Sequence, residues 1–219
     1  MKAIAIIPAF NSAVYLPRLL PEVKKHVPDI LVVDDGSTDE TSAVAKACGA
    51  AVVRHSSNRG KGAALKTGFA YSLENAFDAI ITLDADCQHD PKYLPDFLDT
   101  FKNGGVDLII GSRINDKADM PRERRFSNWT TSHILSFLLK RKIEDSQCGY
   151  RLHSRHILES LTLESDKYEL ETEMIIKAVQ LGFPYKFIPI RVEYGYGYPS
   201  HISHVKDTLR WCRRVLELI

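Results

Sequence analysis

The sequence predicts an α/β domain with a Rossmann-like, mostly parallel sheet flanked by helices and a more helical C-terminal portion. Three observations predict it. Short β-branched apolar runs alternate with longer helix-like patterns through the first half, the signature of strand–helix–strand units joined by right-handed crossovers. Most of these runs are nearly continuous, as strands buried on both faces are. Five consecutive runs also end in polar or glycine-rich chemistry, and such sheets bind ligands beyond the carboxyl ends of their strands.

The strands are read at 3–9 (AIAIIPA), 29–35 (DILVVDD), 50–55 (AAVVRH), 79–86 (AIITLDAD) and 107–112 (DLIIGS). Helices are read between them at Tyr15–Val27, Glu40–Cys48, Gly62–Asn75 and Pro91–Lys102. STDET offers a hydroxyl cap with acidic residues in the first turn, and HDPKYL puts Pro91 where a helix start tolerates it. The second half differs. A helix is expected over 122–142, carrying Phe126, Trp129, Ile134, Phe137 and Leu138 between basic clusters. DSQCGYRL reads as a short extended piece, YELETEMIIKAVQLG as a helix ending at Gly182, and YKFIPIRVEY as a further strand. The last helix, about 201–219, has two apolar stripes: Val205, Leu209, Cys212, Leu216 and Ile219, and beside them Trp211, Val215 and Leu218. Such a helix wants cover from more than one side.

A chain of 219 residues fits one domain. A net charge of +1 argues against nucleic acid as the main partner. The N-terminal apolar run is short and cut by Pro8, so it reads as a strand and not a leader. No stretch approaches the roughly 20 apolar residues that span a bilayer. Four cysteines without paired spacing read as reduced thiols of a cytoplasmic protein.

The most informative stretch is Asp84 to Pro91, DADCQHDP, directly after AIITL. Carboxylates gathered at a strand end lose hydration and repel one another unless something positive answers them. A metal ion carrying a phosphorylated ligand is the usual answer. His89, next to Asp90 and Pro91, reads as a helix-start residue and not a ligand. NRGKG has the wrong spacing for a P-loop; Gly60 and Gly62 there suit close backbone approach to a nucleotide, and Lys61 is either a nucleotide contact or a surface charge.

IIPAFN, VVDDGSTD, NRGKGAALKTGF, TLDADCQHDP, GSR, DSQCGYR and YELETEMIIKA, in this order, resemble the family 2 glycosyltransferases of GT-A fold. Within that family the polyprenyl- or dolichyl-phosphate sugar synthases look most similar. The match runs from residue 3 to about residue 210. The resemblance implies one GT-A catalytic domain over 1–219, with a nucleotide-sugar-binding half at 1–112 and an acceptor-binding half at 113–219. It implies an inverting transfer of a hexose from a UDP-glucose- or GDP-mannose-type donor to a lipid phosphate. The alternative is the same donor with a hydroxyl of a glycan or polysaccharide precursor as acceptor.

Carried over residue by residue, the nucleoside lies against Pro8, Phe10 and Asn11, with Asp35 accepting from the base. Lys61, Asp84, Ala85 and Asp86 complete the donor site, and Asp86 with Gln88 holds Mg²⁺ or Mn²⁺. Arg113 and Arg124 match arginines that hold the acceptor phosphate, with Arg125 as the neighbouring register for the second. Asn128 stands where a serine is usual, and His201 is a phosphate contact or a helix N-terminal residue. Phe10 and Ser12 depart from the Tyr and Glu common in the first motif. Asp145 is either a general base for a hydroxyl acceptor or a turn residue ordering its loop. Cys87 and Cys148 replace small residues of two motifs, so both thiols are expected to face one cavity. The helix at Phe126–Leu139 then reads as a peripheral contact with the cytosolic membrane face or a membrane-embedded partner, or else as ordinary packing against the last helix.

Overall fold

Strand β1 (Ala3–Ala9) lies inside a seven-stranded sheet of order β3-β2-β1-β4-β6-β5-β7. The computed structural model describes residues 1–113, 120, 122–192 and 204–219, without the side chains of 204–207. The expected strands are β2 (Asp29–Asp34), β3 (Ala51–Arg54), β4 (Ala79–Thr82) and β5 (Leu108–Ser112), followed by β6 (Arg151–Ser154) and β7 (Tyr185–Pro189). β1 pairs in parallel with β2 and β4, β2 with β3, and β5 with β7. β6 runs antiparallel between β4 and β5, with Leu152 opposite Ile81 on one side and Ile109 on the other.

The continuous runs are buried for the reason their composition suggests. Ile4, Ile6, Ile7, Leu31, Val32, Ile80, Ile81, Ile109 and Ile110 are almost wholly inaccessible. Burying each such side chain contributes about 1.5–3 kcal/mol. The crossover helices are α1 (Leu16–Lys24), α2 (Thr41–Ala47), α3 (Lys61–Glu74) and α4 (Leu94–Lys102). On α1, Leu16, Leu19, Leu20 and Val23 form one buried stripe, while Pro17 sits in the first turn, where its missing N–H has no intrahelical partner to lose. Pro91 opens a 3-10 turn, capped by Asp90 accepting from the Lys92 amide, before α4 begins.

Three features depart from the expected elements. DSQCGYRL is strand only from Arg151 onward, and Asp145–Tyr150 is a loop. A short helix, α6 (Arg155–Ser160), follows, with the Ser154 hydroxyl accepting from the Ile157 amide. Helix α5 (Arg122–Leu139) does not rest chiefly on the last helix: α5 and α8 (His204–Leu218) both pack on α7 (Glu169–Gln180). Of the two stripes on α8, Val215 is buried and Trp211 and Leu218 pack toward the core, whereas Leu209, Leu216 and Ile219 are exposed.

Because β6 and β7 share the sheet with β1–β5, the two halves of the chain interleave around one core. No helix among the described residues is long and apolar enough to cross a membrane.

Candidate active site

The polar ends of β1, β2, β4 and β5 converge because parallel strands deliver their carboxyl ends to one edge of the sheet. The first two loops are stitched together. Asn11, in the left-handed region at φ 50°, donates its amide to Ser37 Oγ at 2.9 Å, and its side-chain oxygen accepts from the Thr38 amide at 2.8 Å. Asp39 accepts from the Ala13 amide, and Ser12 donates its amide to Thr41 Oγ1. Buried Asp34 accepts from the Ser37 amide and from the Ser42 hydroxyl. Pro8 and Phe10 stand half-buried beside this framework.

Asp35 is also largely committed. Its Oδ1 meets His55 Nδ1 at 2.7 Å and the Arg59 amide at 2.9 Å, and its Oδ2 accepts from the Gly60 amide at 2.7 Å. A carboxylate oxygen has two lone-pair sites, so Oδ2 keeps one for a further donor such as a base N–H. His55, not singled out from the sequence, fixes this carboxylate, and its other nitrogen meets Thr67 Oγ1 at 2.9 Å.

Lys61 is a half-buried hub and not a surface charge. Its Nζ lies 2.5 Å from Asp84 and 3.1 Å from Glu171 of α7. Burial alone would lower its pKa, but the two carboxylates raise it well above the ordinary lysine value. Gly149 is required beside this pair: a Cβ there would come within 2.8 Å of both Asp84 Oδ2 and Lys61 Nζ. The close approach allowed by Gly60 and Gly62 is to the protein's own chain. A Cβ on either would collide with Asp166 or Lys167, and Ala63 donates its amide to Asp166 O.

The two carboxylates of DAD have opposite environments. Burial pushes Asp84 up, but Lys61, His89 and Arg113 together hold it down to about 2. Burial, and then the adjacent Asp84 charge, push Asp86 up to about 6. Among the described residues no lysine or arginine nitrogen lies within ion-pair distance of Asp86, although Lys61 and then Arg124 are near enough to favour its charged form. Its visible hydrogen bond is from the Gln88 amide, at 3.0 Å. The intervening Cys87 is held at φ 60°, a strained conformation for a residue with a Cβ, and Ala85 is buried beneath.

No group of three or more His, Cys, Asp or Glu side chains is arranged to hold a metal among the described residues. An ion seated here would therefore have Asp86, with Gln88 half-buried beside it, and take its other ligands from phosphate and water. That sparse set of hard oxygens fits Mg²⁺ or Mn²⁺ and not a closed structural site.

His89 directly precedes the Asp90 cap, as a helix-start residue would, and it is buried. Its ring packs 5.4 Å from Tyr150, its Nε2 lies 3.9 Å from Cys148 Sγ, and burial lowers it to about 4, so it is neutral. The two thiols do not share one setting. Cys87 directs its sulfur to the Tyr15 carbonyl, whereas Cys148 is enclosed and burial raises its thiol to about 12.

On the other side of the site, Arg113 grips Asp145. Its Nε donates to Oδ2 at 2.7 Å, its Nη2 to Oδ1 at 2.8 Å, and its backbone N–H to Oδ2 at 3.2 Å. The amides of Gln147 and Cys148 also donate to Oδ1. Asp145 is 0% exposed. Burial opposes its charge, yet Arg113 and these amides bring its pKa below the usual carboxylate range. Its loop is held by Arg151, fully buried, which donates to the carbonyls of Cys148, Glu171 and Ser146. Arg124 is half-buried on α5 and Arg125 is exposed, so Arg124 is the register that faces Asp86. Asn128 is buried and accepts from the Ser132 hydroxyl, inside a cluster with Ser146. His201 lies outside the described residues.

Lys61, Asp84, Asp86, Arg113, Arg124 and Asp145 thus belong to one site, and Asn128 stands behind it. Glu171, His55 and Arg151 were missed as site residues. The signal for Glu171 was the three alternating glutamates of ELETE, but its partner Lys61 is 110 positions away in the chain.

With this geometry in hand, the comparisons with known proteins are specific. The model of "Glycosyl transferase family 2" matches residues 4–162. A polyprenol monophosphomannose synthase of Mycolicibacterium smegmatis is 33% identical over 203 residues, covering 86% of this chain and 76% of its own. A UDP-N-acetylglucosamine–dolichyl-phosphate N-acetylglucosaminyltransferase of Methanococcus voltae is 28% identical over 212 residues, covering 86% and 84%. Among solved structures, glucosyl-3-phosphoglycerate synthase of Mycobacterium tuberculosis, in complex with Mn²⁺, UDP and phosphoglyceric acid, aligns with a TM-score of 0.77. At 20% identity, over 99% of this chain and 76% of that one, that likeness concerns the fold, which is of GT-A type.

Proposed function

The chain belongs to glycosyl transferase family 2, and on that footing we propose that it transfers a hexose, with inversion, from a UDP-glucose- or GDP-mannose-type donor to a polyprenyl or dolichyl phosphate. The observation that carries the acceptor is the state of Asp145. A hydroxyl acceptor needs a base to take its proton. Asp145 is enclosed, accepts from three protein donors on one oxygen and two on the other, and has a lowered pKa. It is a positioning residue that aims Arg113. A phosphate monoester has its second pKa near 6, so its oxygen is already anionic at neutral pH and asks for positive charge instead.

Arg113 and Arg124 supply that charge on the acceptor side, with His201 as a further phosphate contact; guanidiniums suit forked binding of phosphate oxygens. Asn128 acts through the Ser132–Ser146 cluster by holding α5 in place. On the donor side the nucleoside rests on Pro8, Phe10 and Asn11, with the remaining lone pair of Asp35 accepting from the base. Lys61, Asp84 and Ala85 hold the ribose and sugar. Asp86 and Gln88 would hold Mg²⁺ or Mn²⁺, which when bound neutralises charge on the departing diphosphate. Residues 1–112 then serve mainly the donor and 113–219 mainly the acceptor, with Glu171 crossing over to the donor side.

A lipid phosphate must be met at a membrane surface. Helix α5 presents Phe126, Trp129 and Phe137 at 69%, 56% and 82% exposure. Arg122 and Arg125 lie at one end, and Lys140, Arg141 and Lys142 at the other. Apolar side chains between cationic ends suit peripheral contact with the cytosolic face of an anionic bilayer.

The test is release of nucleotide diphosphate from UDP-glucose and from GDP-mannose with Mn²⁺, with and without a short polyprenyl phosphate. Release that depends on the lipid phosphate is expected. Release stimulated by a free polyprenol or glycan hydroxyl, and not by the phosphate, would overturn the acceptor.

A further inference from the structure

Three consecutive residues of α7 reach in three directions. Glu171 meets Lys61 at 3.1 Å, Thr172 accepts from Trp211 Nε1 of α8 at 3.0 Å, and Glu173 turns to a loop and to Arg214 of α8. Glu173 is wholly buried and densely served: it accepts from the amides of Glu164 and Ser165 at 3.0 and 2.9 Å, from Lys177 Nζ at 2.7 Å and from Arg214 Nη2 at 2.9 Å. Arg214 Nη2 also meets Glu164 Oε2 at 2.6 Å, so one guanidinium clasps both the helix and the loop. Its neighbour Arg213 is 82% exposed and, among the described residues, pairs with Glu217 of its own helix, whereas Arg214 is 14% exposed.

The loop fastened this way is the one that bears on the donor site. Asp166 O accepts from the Ala63 amide at 2.9 Å, Lys66 Nζ reaches Asp166 Oδ1 at 2.6 Å and Glu164 O at 3.1 Å, and the loop backbone lies so close to α3 that only glycine fits at 60 and 62. Lys61 stands between those glycines and carries Asp84. A shift of the loop therefore moves the start of α3, and Lys61 with it.

We propose that Arg214 is a positioning residue for the donor site: by clasping Glu173 and Glu164 it fixes the loop at 164–167 over the start of α3 and so sets Lys61 against Asp84. Helix α8 is then part of the donor-site framework, although its outer face carries exposed leucines. The activity arm of the test rests on the glycosyltransferase reading. The exchange arm does not.

The experiment compares the full chain with Arg214→Met, Arg214→Lys and the control Arg213→Met. Donor KM is measured with UDP-glucose and GDP-mannose, and backbone hydrogen exchange is followed without any ligand. Arg214→Met is expected to raise donor KM about 5- to 20-fold, with kcat within about threefold and acceptor KM unchanged, a loss of one charge-assisted positioning contact. The amides of Ala63, Glu164 and Ser165 should exchange at least tenfold faster while the core strands keep their protection. Arg214→Lys should recover part of both changes, and Arg213→Met should alter neither. Should Arg214→Met fail to fold, Glu173→Gln, which keeps volume and loses charge, is expected to show the same pattern. Unchanged donor KM and unchanged exchange at those three amides would overturn the proposal, as would a uniform rise in exchange with donor KM unaltered. If wild type turns over neither donor, the functional reading fails while the exchange arm still decides the coupling.

Discussion

The loops after β1 and β2 and the loop after β4 are built from the same kinds of residue, yet they hold their charge in opposite ways. In the first region Asp34, Asp35 and Asp39 each accept two or more hydrogen bonds from the protein itself. In the second, Asp84 is answered by Lys61, and Asp86 has no cation at ion-pair distance among the described residues. Carboxylates that the fold has already satisfied shape a surface for a ligand. A carboxylate that it leaves unanswered is where the proposed metal ion would supply the missing charge. Acidic loops are therefore told apart by their hydrogen-bond accounts and not by their composition.

The sharpest way to break this comparison is to remove the unanswered charge. Asp86→Asn should lower sugar transfer by a factor of about 1,000 or more, roughly 4 kcal/mol in the barrier, at limiting Mg²⁺ or Mn²⁺. It should leave the fold intact, because the change removes a repulsion. Transfer measured across a metal titration checks it. Wild-type turnover in the variant would place the ion elsewhere.

A second contrast lies within the arginines. Arg113→Ala strands a buried carboxylate, a loss of about 3–5 kcal/mol of stability that would obscure its part in the chemistry. Arg124 is half-buried, so Arg124→Ala keeps the fold. It should slow transfer to a polyprenyl phosphate about 30- to 1,000-fold, or 2–4 kcal/mol, with little change in donor affinity. Initial rates against acceptor concentration, with donor binding measured separately, give both numbers. A variant as active as wild type would detach the acceptor phosphate from α5.

The satisfied region should respond in stability. Asp35→Ala leaves two backbone amides and His55 without their acceptor. A cost of about 2–3 kcal/mol is expected in urea unfolding. A loss of less than about half a kcal/mol would show that the carboxylate does not organise this loop.

These contrasts also mark what was legible beforehand. Strand ends were legible because an apolar run followed by Asp, Gly or Arg is a local signal, and Asp84, Asp86 and Arg113 are found by it, whereas Arg124, on α5, is reached only through the family resemblance. β6 was only half-legible: RLHS carries Arg and His and looks like a loop, yet all four residues are buried. The charge of Arg151 is tolerated there because three carbonyls, from Ser146, Cys148 and Glu171, accept from it. Composition cannot announce a long-range arrangement of that kind. The roles of Lys61 and Glu171 were hidden for the same reason, since neither explains itself without the other. Asp145 reads as base or turn residue from its motif, and the Arg113 fork, which the motif does not announce, is the observation that favours the second.

The smallest expected effect tests the same contrast by pH. Asp86 is raised to about 6, above the ordinary carboxyl value near 4. Between those two values the folded chain holds a proton that the unfolded chain has released. Stability contributed by this group therefore falls as pH rises from about 4 to about 6, and is flat above. The raw stability curve does not isolate it. Burial lowers His89 to about 4 and His153 to about 3, so the unfolded chain binds their protons first and stability rises over an overlapping window. Asp84 and Glu173, each held near 2, act lower still, losing their contribution as pH falls from about 4. Both histidines and both carboxylates are present in Asp86→Asn, so the difference between the two stability curves cancels them to first order. That difference should move in favour of the variant by about 1 kcal/mol between pH 4 and 6, because solvent at the half-buried Asp86 screens much of the charge. Adding Mn²⁺ at pH 7 should raise the Tm of wild type and not of the variant. Urea or thermal unfolding at four pH values checks both statements. Parallel curves, with or without Mn²⁺, would mean that Asp86 is as well answered as its neighbours, and the contrast between the two regions would be lost.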